Sequence, residues 1–341
     1  MSRRLHTRIL LARLRAASPI KPKRRVGRIP RPAEPVAIAM SYARALRGSV
    51  CERARGAFAA VEAEIIADLV ELRRAQGRED SARADAPMIG GGRGAAIGAG
   101  RAAQLGEAEA ARAGREAMPG VKAFGEDLDA AARLAAKARA LIDKAAAAYT
   151  NEWRPAALFD VVKQFGKRTS AHQREQLDKQ LRAAIGVPLS AIEPASRNRI
   201  EEWAAGNVDR IKSIPDLYFD RLRGDVEEAF AAGTHPSTLA DLFAERYEMS
   251  ERQAETVARD QVLKLSANLA HDRMENLGVE WATWRTVRDG RVCEICEAME
   301  GVRFKLSEGA DGACGPGTLP GDCHPMDRCW SEPDLTALVD G

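Results

Sequence analysis

Apolar side chains recur along this chain mainly at intervals of three and four, the period of a helix with one buried face. Phe58, Val61, Ile65, Leu69 and Leu72 form one such stripe within residues 36–80, which read as an N-terminal helix. A longer series, Val121, Phe124, Leu128, Ala131, Ala135, Ala138, Ile142, Ala145 and Tyr149, predicts helix from about 120 to 168, in a helical region spanning residues 119–190. Its alanine-rich seam lets a neighbouring helix approach closely, within the chain or in another subunit. Residues 170–186 and 195–212 predict further helices, the second presenting Trp203, Val208 and Ile211. Ser213 reads as the N-cap of the next, with Pro215 in its first turn. There Tyr218, Leu222, Val226 and Phe230 repeat every four residues, and Gly233 supplies a left-handed stop. Ser250-Glu-Arg-Gln253 fits a capping box opening a long helix that closes near Gly278.

The period then changes. Val279 to Val287 is rich in β-branched and aromatic residues, Asp289-Gly290 signals a tight turn, and Val302-Arg-Phe304 reads as a second short strand. The fold class expected is mainly α with a small C-terminal α+β cap: a helical body, a short β-hairpin and a Cys/His cluster. The segments are a basic arm (1–35), the N-terminal helix (36–80), a Gly-rich flexible linker (81–118), a helical region (119–190), a second helical part (191–278), the cap (279–332) and a tail (333–341). Six of the eleven residues from Gly90 to Gly100 are glycine, yet no Gly-Lys-Ser/Thr follows, so this stretch is no phosphate cradle.

Composition narrows the class. With 341 residues, 45% hydrophobic and 30% charged, the chain reads as a soluble protein able to bury a sizeable core. No apolar run approaches the ~18 residues of a membrane span. The net charge of +3 hides an asymmetry: residues 1–35 hold 11 Lys/Arg and one acid, leaving 41 basic against 48 acidic side chains elsewhere. The arm lacks a secretory pattern, a mitochondrial-type presequence being the weaker competitor. Lys21, Lys23, Arg24 and Arg25 are its candidate phosphate contacts. A merely solvated tail is the alternative, since no aromatic residue is interleaved for base stacking.

Five of the six cysteines lie near the C-terminal end: Cys293, Cys296, Cys314, Cys323 and Cys329, with His324 among them. Cys293-Glu-Ile-Cys296 after a tight turn can fill two corners of a tetrahedron. Cys329 and His324 are the candidates for the other two, with Cys323 as substitute for His324. Four such ligands make a closed, structural zinc site with no position for a catalytic water. Disulfides, including one between Cys314 and Cys323, and free thiols are the competing readings. Catalytic patterns are missing: His324 is followed by Pro325, not by the x-Glu of a zinc deaminase, and there is no His-Glu-x-x-His. No enzymatic activity is expected. His172 and His271 read as solvent-facing, His235-Pro236 as a turn, and Cys51 as a small buried hydrophobe.

Trp284-Arg-Thr-Val-Arg-Asp-Gly-Arg-Val-Cys-Glu-Ile-Cys296, then Glu300-Gly-Val-Arg-Phe304, then His324-Pro325 and Arg328-Cys329, resembles the C-terminal module of phage head morphogenesis proteins. These are the minor head proteins similar to protein F of phage Mu. The run from Asn207 to Pro215 with Tyr218, and Ala258-Arg-Asp-Gln261 with Asn268, resemble the family's preceding helices, so the likeness covers roughly residues 195–330. One departure stands out: the family ends His-Pro-x-Cys-Arg-Cys, and Asp327 occupies the place of the first of those cysteines.

The resemblance implies a minor capsid protein of a tailed phage or prophage, assembled in the bacterial host cytoplasm and located in the virion, inside the head near the portal. Its implied partners are the portal protein, the major capsid or scaffold protein and packaged double-stranded DNA, with no membrane. The alternatives are a zinc-dependent nucleic-acid-binding protein and the carrier module of a phage-encoded effector enzyme.

Overall fold

The computed structural model describes residues 26–76, 128–191, 199–290, 292–311 and 315–339, together with Ile9 and Ala12. The candidate phosphate contacts Lys21, Lys23, Arg24 and Arg25, the Gly-rich linker and Cys314 lie outside the described residues. Helices α1 (Val36–Leu46) and α2 (Glu52–Ala75) are joined through a single π turn, Arg47–Cys51. They are followed by α3 (Leu128–Glu152), α4 (Pro155–Ile185), α5 (Arg199–Ala232) and α6 (Pro236–Asn276). The cap comprises β1 (Trp281–Arg285), a short α7 (Glu294–Ala298), β2 (Arg303–Lys305), β3 (Trp330–Pro333) and a closing turn α8 (Thr336–Val339).

Three boundaries differ from expectation. The break expected near residue 169 is absent: α3 ends at Glu152 and α4 runs unbroken from Pro155 to Ile185, started by the proline in its first turn. Ser213 and Pro215 do not divide two helices: α5 runs straight through them, and Ser213 Oγ bonds back to the Arg210 carbonyl (2.7 Å). The buried residues Ile211, Ile214, Tyr218, Leu222 and Val226 stay in phase across the proline, so packing on one continuous face outweighs the hydrogen bond that Pro215 cannot donate. Ser250 likewise caps nothing. It is buried inside α6, its hydroxyl on the Tyr247 carbonyl (2.7 Å). That helix opens at His235, whose Nδ1 accepts from the Ser237 N–H (3.3 Å), with Pro236 in the first turn.

The alanine seam of α3 is answered within the chain. Ala131, Ala138, Ile142 and Ala145 share a core with Phe58 and Ile65 of α2, Tyr218 and Leu222 of α5, and Phe243 of α6. Phe58 meets Phe243 edge to face, centroids 4.9 Å apart. A second core joins α1, α4, α5 and α6 around Tyr42, Phe165, Ile211 and Ala258, and the buried Cys51 belongs to it. Here the Tyr42 phenol accepts from Asn207 Nδ2 (2.9 Å), both residues fully enclosed. Tyr42→Phe is expected to cost about 1–2 kcal/mol in a denaturant titration, because the Asn207 amide loses its acceptor away from water.

The third core seats the cap on the C-terminal ends of α4 and α6. Leu177, Leu181, Met274 and Leu277 meet Trp284, Phe304, Leu306 and Leu338, with Cys296 and Cys329 in the same cluster. The sheet is antiparallel in the order β2-β1-β3, pairing Ala282 with Phe304 and Trp284 with Ser331. The expected hairpin is thus a three-stranded sheet. Trp330-Ser-Glu-Pro333 buries alternate residues against β1, and the supposed tail turns into α8, placing Leu338 and Val339 in the core.

Candidate metal centre

Three carboxylates fix the loops that carry the cluster. Glu300, at the end of the α7 segment, accepts from the Thr286 N–H (2.6 Å), the Thr286 hydroxyl (3.0 Å) and Arg288 (2.8 Å). It thereby holds the turn after β1, in which Arg288 adopts φ +52°. Burial opposes its ionisation, but these donors and Arg285 outweigh burial and hold its pKa down to about 2. A carboxylate depressed in the fold stabilises it fully above the ordinary carboxylate range and loses that contribution as pH falls through its folded value. The Glu300 contribution is therefore expected to disappear between pH about 4.5 and about 2, and an acid titration of Glu300→Gln should lack that component.

The second carboxylate is Asp289 in the same turn, which takes both Arg328 guanidinium nitrogens at 2.7 Å. This pair ties the first half of the cluster to the second. The third, Asp327, is 3% exposed. It accepts from three backbone N–H groups: Gly321 (2.9 Å), Cys323 (3.2 Å) and Cys329 (2.8 Å). From below, Asp260 of α6 accepts the Met326 N–H (2.9 Å), steadying a residue at φ +63°.

On this frame sit the candidate ligands. Cys293 caps α7, its Sγ accepting from the Cys296 N–H (3.3 Å). Two sets of donor atoms lie within 4.8 Å of one another: Cys293, Cys296 and His324, and Cys296, Asp327 and Cys329. Cys296 is common to both. Tetrahedral zinc with Zn–S bonds of about 2.3 Å needs only a small inward movement from such spacing. The His324 Nδ1 lies 2.8 Å from the Pro325 carbonyl. A carbonyl only accepts, so Nδ1 carries the proton and Nε2 keeps the lone pair for a metal.

The sulfurs behave as an interacting group. A hydrogen bond from Cys329 brings Cys296 down to about 6 against the opposing effect of burial, while the same bond, with burial, pushes Cys329 up. Burial raises Cys293. Burial opposes the charged His324, yet the Pro325 carbonyl, Asp327 and Cys296 together raise it. A soft sulfur–imidazole set with one thiolate already favoured matches the donor chemistry of zinc. Asp327 has both oxygens committed to backbone donors, so Cys293, Cys296 and His324 of one set and Cys329 of the other are the remaining candidates.

Other sequence-derived expectations land differently. Cys323, the substitute ligand, is disulfide-bonded, so its sulfur is withheld from the cluster. Cys293, Cys296 and Cys329 are free thiols. His271 is buried, 5% exposed, with Nε2 on the Ser331 hydroxyl (2.7 Å), and burial brings it down to about 4. It joins α6 to β3 and does not face solvent. His172 bonds the Ala33 carbonyl (2.9 Å). Asp260, Asp289 and Glu34 went unrecognised as supports, although Asp260 and Asp289 stood in runs already singled out.

Residues 220–325, which span the α6–cap junction and most of the cluster, match the family described as Phage Mu protein F like protein. The C-terminal module is Mu F-like. A relative described as "Uncharacterized protein" from Haemophilus influenzae is 28% identical over 182 residues, covering 52% of this chain and 40% of that protein. The chain thus corresponds to about two fifths of that relative's length. No solved structure matches. Among the described residues no helix is long and apolar enough to cross a membrane. The Mu F-like module carries a Cys/His cluster that can hold a metal ion.

Proposed function

We propose that this chain is a structural protein of a tailed-phage head, acting in head morphogenesis, and that one zinc ion staples its Mu F-like module. The observation that carries the reading is the match over residues 220–325, whose C-terminal part holds Cys293, Cys296 and His324 of the cluster. Four protein ligands leave no open coordination position for water or substrate, so the role proposed is architectural and not enzymatic. The ion, when bound, supplies cross-linking between the α7 turn and the 324–329 loop. Glu300, Asp289 and Asp327 hold those two loops in place for it.

The partners proposed are the portal protein and the major capsid or scaffold protein, with the chain inside the head near the portal. The surplus of positive charge in residues 1–35 favours contact with packaged DNA through phosphate neutralisation. One experiment addresses the reading: co-expression with portal, scaffold and capsid proteins of the same phage, followed by isolation of procapsids. Recovery of the chain in particles, dependent on portal and with about one zinc per chain, is the expected result. A chain that stays out of particles whether or not portal is present would sink the proposal. DNA contact is separable, because removing residues 1–25 should flatten the salt dependence of duplex binding without altering particle entry.

A further inference from the structure

We propose that residues 26–35 form a latch whose seating is linked to ion occupancy at the Cys/His cluster, so that losing the ion releases these ten residues from the cap. The inference rests on the metal reading of that cluster and adds a regulatory consequence to it.

One side of the latch is held by α4. The Gly27 N–H donates to the Ala184 carbonyl (2.7 Å), and the Gln180 amide donates to the Pro30 carbonyl (2.9 Å). Gln176 Oε1 accepts from the Ala33 N–H (2.9 Å). Pro30, Pro32 and Pro35 keep the segment extended and donate nothing themselves. Helix side chains therefore satisfy its backbone in place of a neighbouring strand.

The other side is the knuckle. Ile29, 9% exposed, enters the same core as Cys296 and Cys329. Glu34 lies 3.9 Å from Arg328, the residue between Asp327 and Cys329. Between latch, α4, α6 and knuckle remains a cavity of about 80 Å³, lined by Glu34, Gln176, His271, Gly321, Arg328 and Ser331 among others. The latch thus closes over an incompletely filled space with a largely apolar lining, and the contacts missing there weaken its seat.

Half of the latch's seat is a helix that an ion does not touch. The other half, the loop from Pro320 to Ser331, carries two of the four proposed ligands. An ion that fixes this loop fixes Arg328, which faces Glu34, and Cys329, which shares a core with Ile29; without it, that side of the seat loses its cross-link. Binding of ion and seating of latch then favour each other by one common factor.

Hydrogen exchange on the full chain tests this, comparing zinc-loaded protein with protein stripped by chelator, the metal content being measured in each. Exchange at the Gly27 and Ala33 amides is expected to rise at least about tenfold on stripping, while the middle of α2 and of α5 is unchanged. Conversely, Ile29→Ala and the milder Glu34→Gln should each weaken zinc binding to the extent that they unseat the latch, and by no more than the factor by which stripping unseats it. Stripped protein whose latch exchanges as slowly as before overturns the linkage, as does zinc affinity indifferent to both substitutions. Failure to find or load any zinc is a different outcome, since it removes the metal reading itself.

Discussion

Cys296→Ser protein is expected to emerge from purification nearly free of zinc and with a cap that melts well before the helical body. Cys296 is the donor common to both halves of the cluster, fully buried within the short helix α7. Removing mere supports of metal ligands costs 10–100-fold in affinity, so loss of this ligand is expected to cost more than about 100-fold. Structural zinc contributes on the order of 10 kcal/mol in small modules, far above what serine changes by packing, because the two side chains are nearly the same size.

The comparison that isolates the ion is a pair of denaturant titrations, with zinc and with chelator, followed by tryptophan fluorescence. Trp281, Trp284 and Trp330 all lie in the cap, so its unfolding is visible. Wild-type protein should drop steeply in stability on chelation, and Cys296→Ser should scarcely respond. Equal responses in the two proteins, or a wild-type chain indifferent to chelator, would show that the sulfurs serve packing alone.

Helices and the first two strands of this fold were readable because their signal is local. A stripe such as Phe58, Val61, Ile65, Leu69 records burial in its own spacing, and Trp281 to Arg285 does the same at period two. Boundaries were read less well because they depend on what lies opposite. Pro215 and Ser250 carry local stop and start signals, and both were overruled by continuous packing faces. His271 sits among charged neighbours, yet α6 is covered both by the body and by the cap, so no side of it there is plainly solvent. Strand β3 has four residues including a proline, too few to show a period.

Within the cluster, sulfur and imidazole announce themselves by residue type and spacing. The carboxylates beneath them do not, since an aspartate that binds backbone N–H groups looks in sequence like any surface aspartate. Ile29 and Glu34 are more remote still: they reach the cluster across some 260 residues or more, a distance over which no periodicity speaks.

Asp327 supplies the second large effect, and its sign separates two roles. In the resemblance read from the sequence it stands in the place of a cysteine, which invites the reading that its carboxylate replaces a lost ligand. The structure uses that carboxylate otherwise, as the acceptor for Gly321, Cys323 and Cys329. Asp327→Ala leaves these N–H groups without an acceptor in a largely buried loop. At about 1–3 kcal/mol for each stranded donor, and allowing for non-additivity among neighbours, the loss should be on the order of 4 kcal/mol. It should persist in chelator, because the bracket acts with or without an ion.

Asp327→Cys sharpens the test. A thiol is a weak acceptor, so this variant should be nearly as destabilised as the alanine one, although it offers an extra sulfur beside Cys296. Asp327→Asn, keeping one carbonyl oxygen, should fall between them and the wild type. Stability of the three variants in chelator, together with their zinc content, is the measurement. If Asp327→Cys instead folds as well as the wild type and holds zinc more tightly, the carboxylate is a stand-in ligand and the backbone contacts are incidental. The predicted order, wild type above asparagine above cysteine and alanine with chelator present, is one that a ligand role does not produce, since a lost ligand matters only when an ion is there to be held.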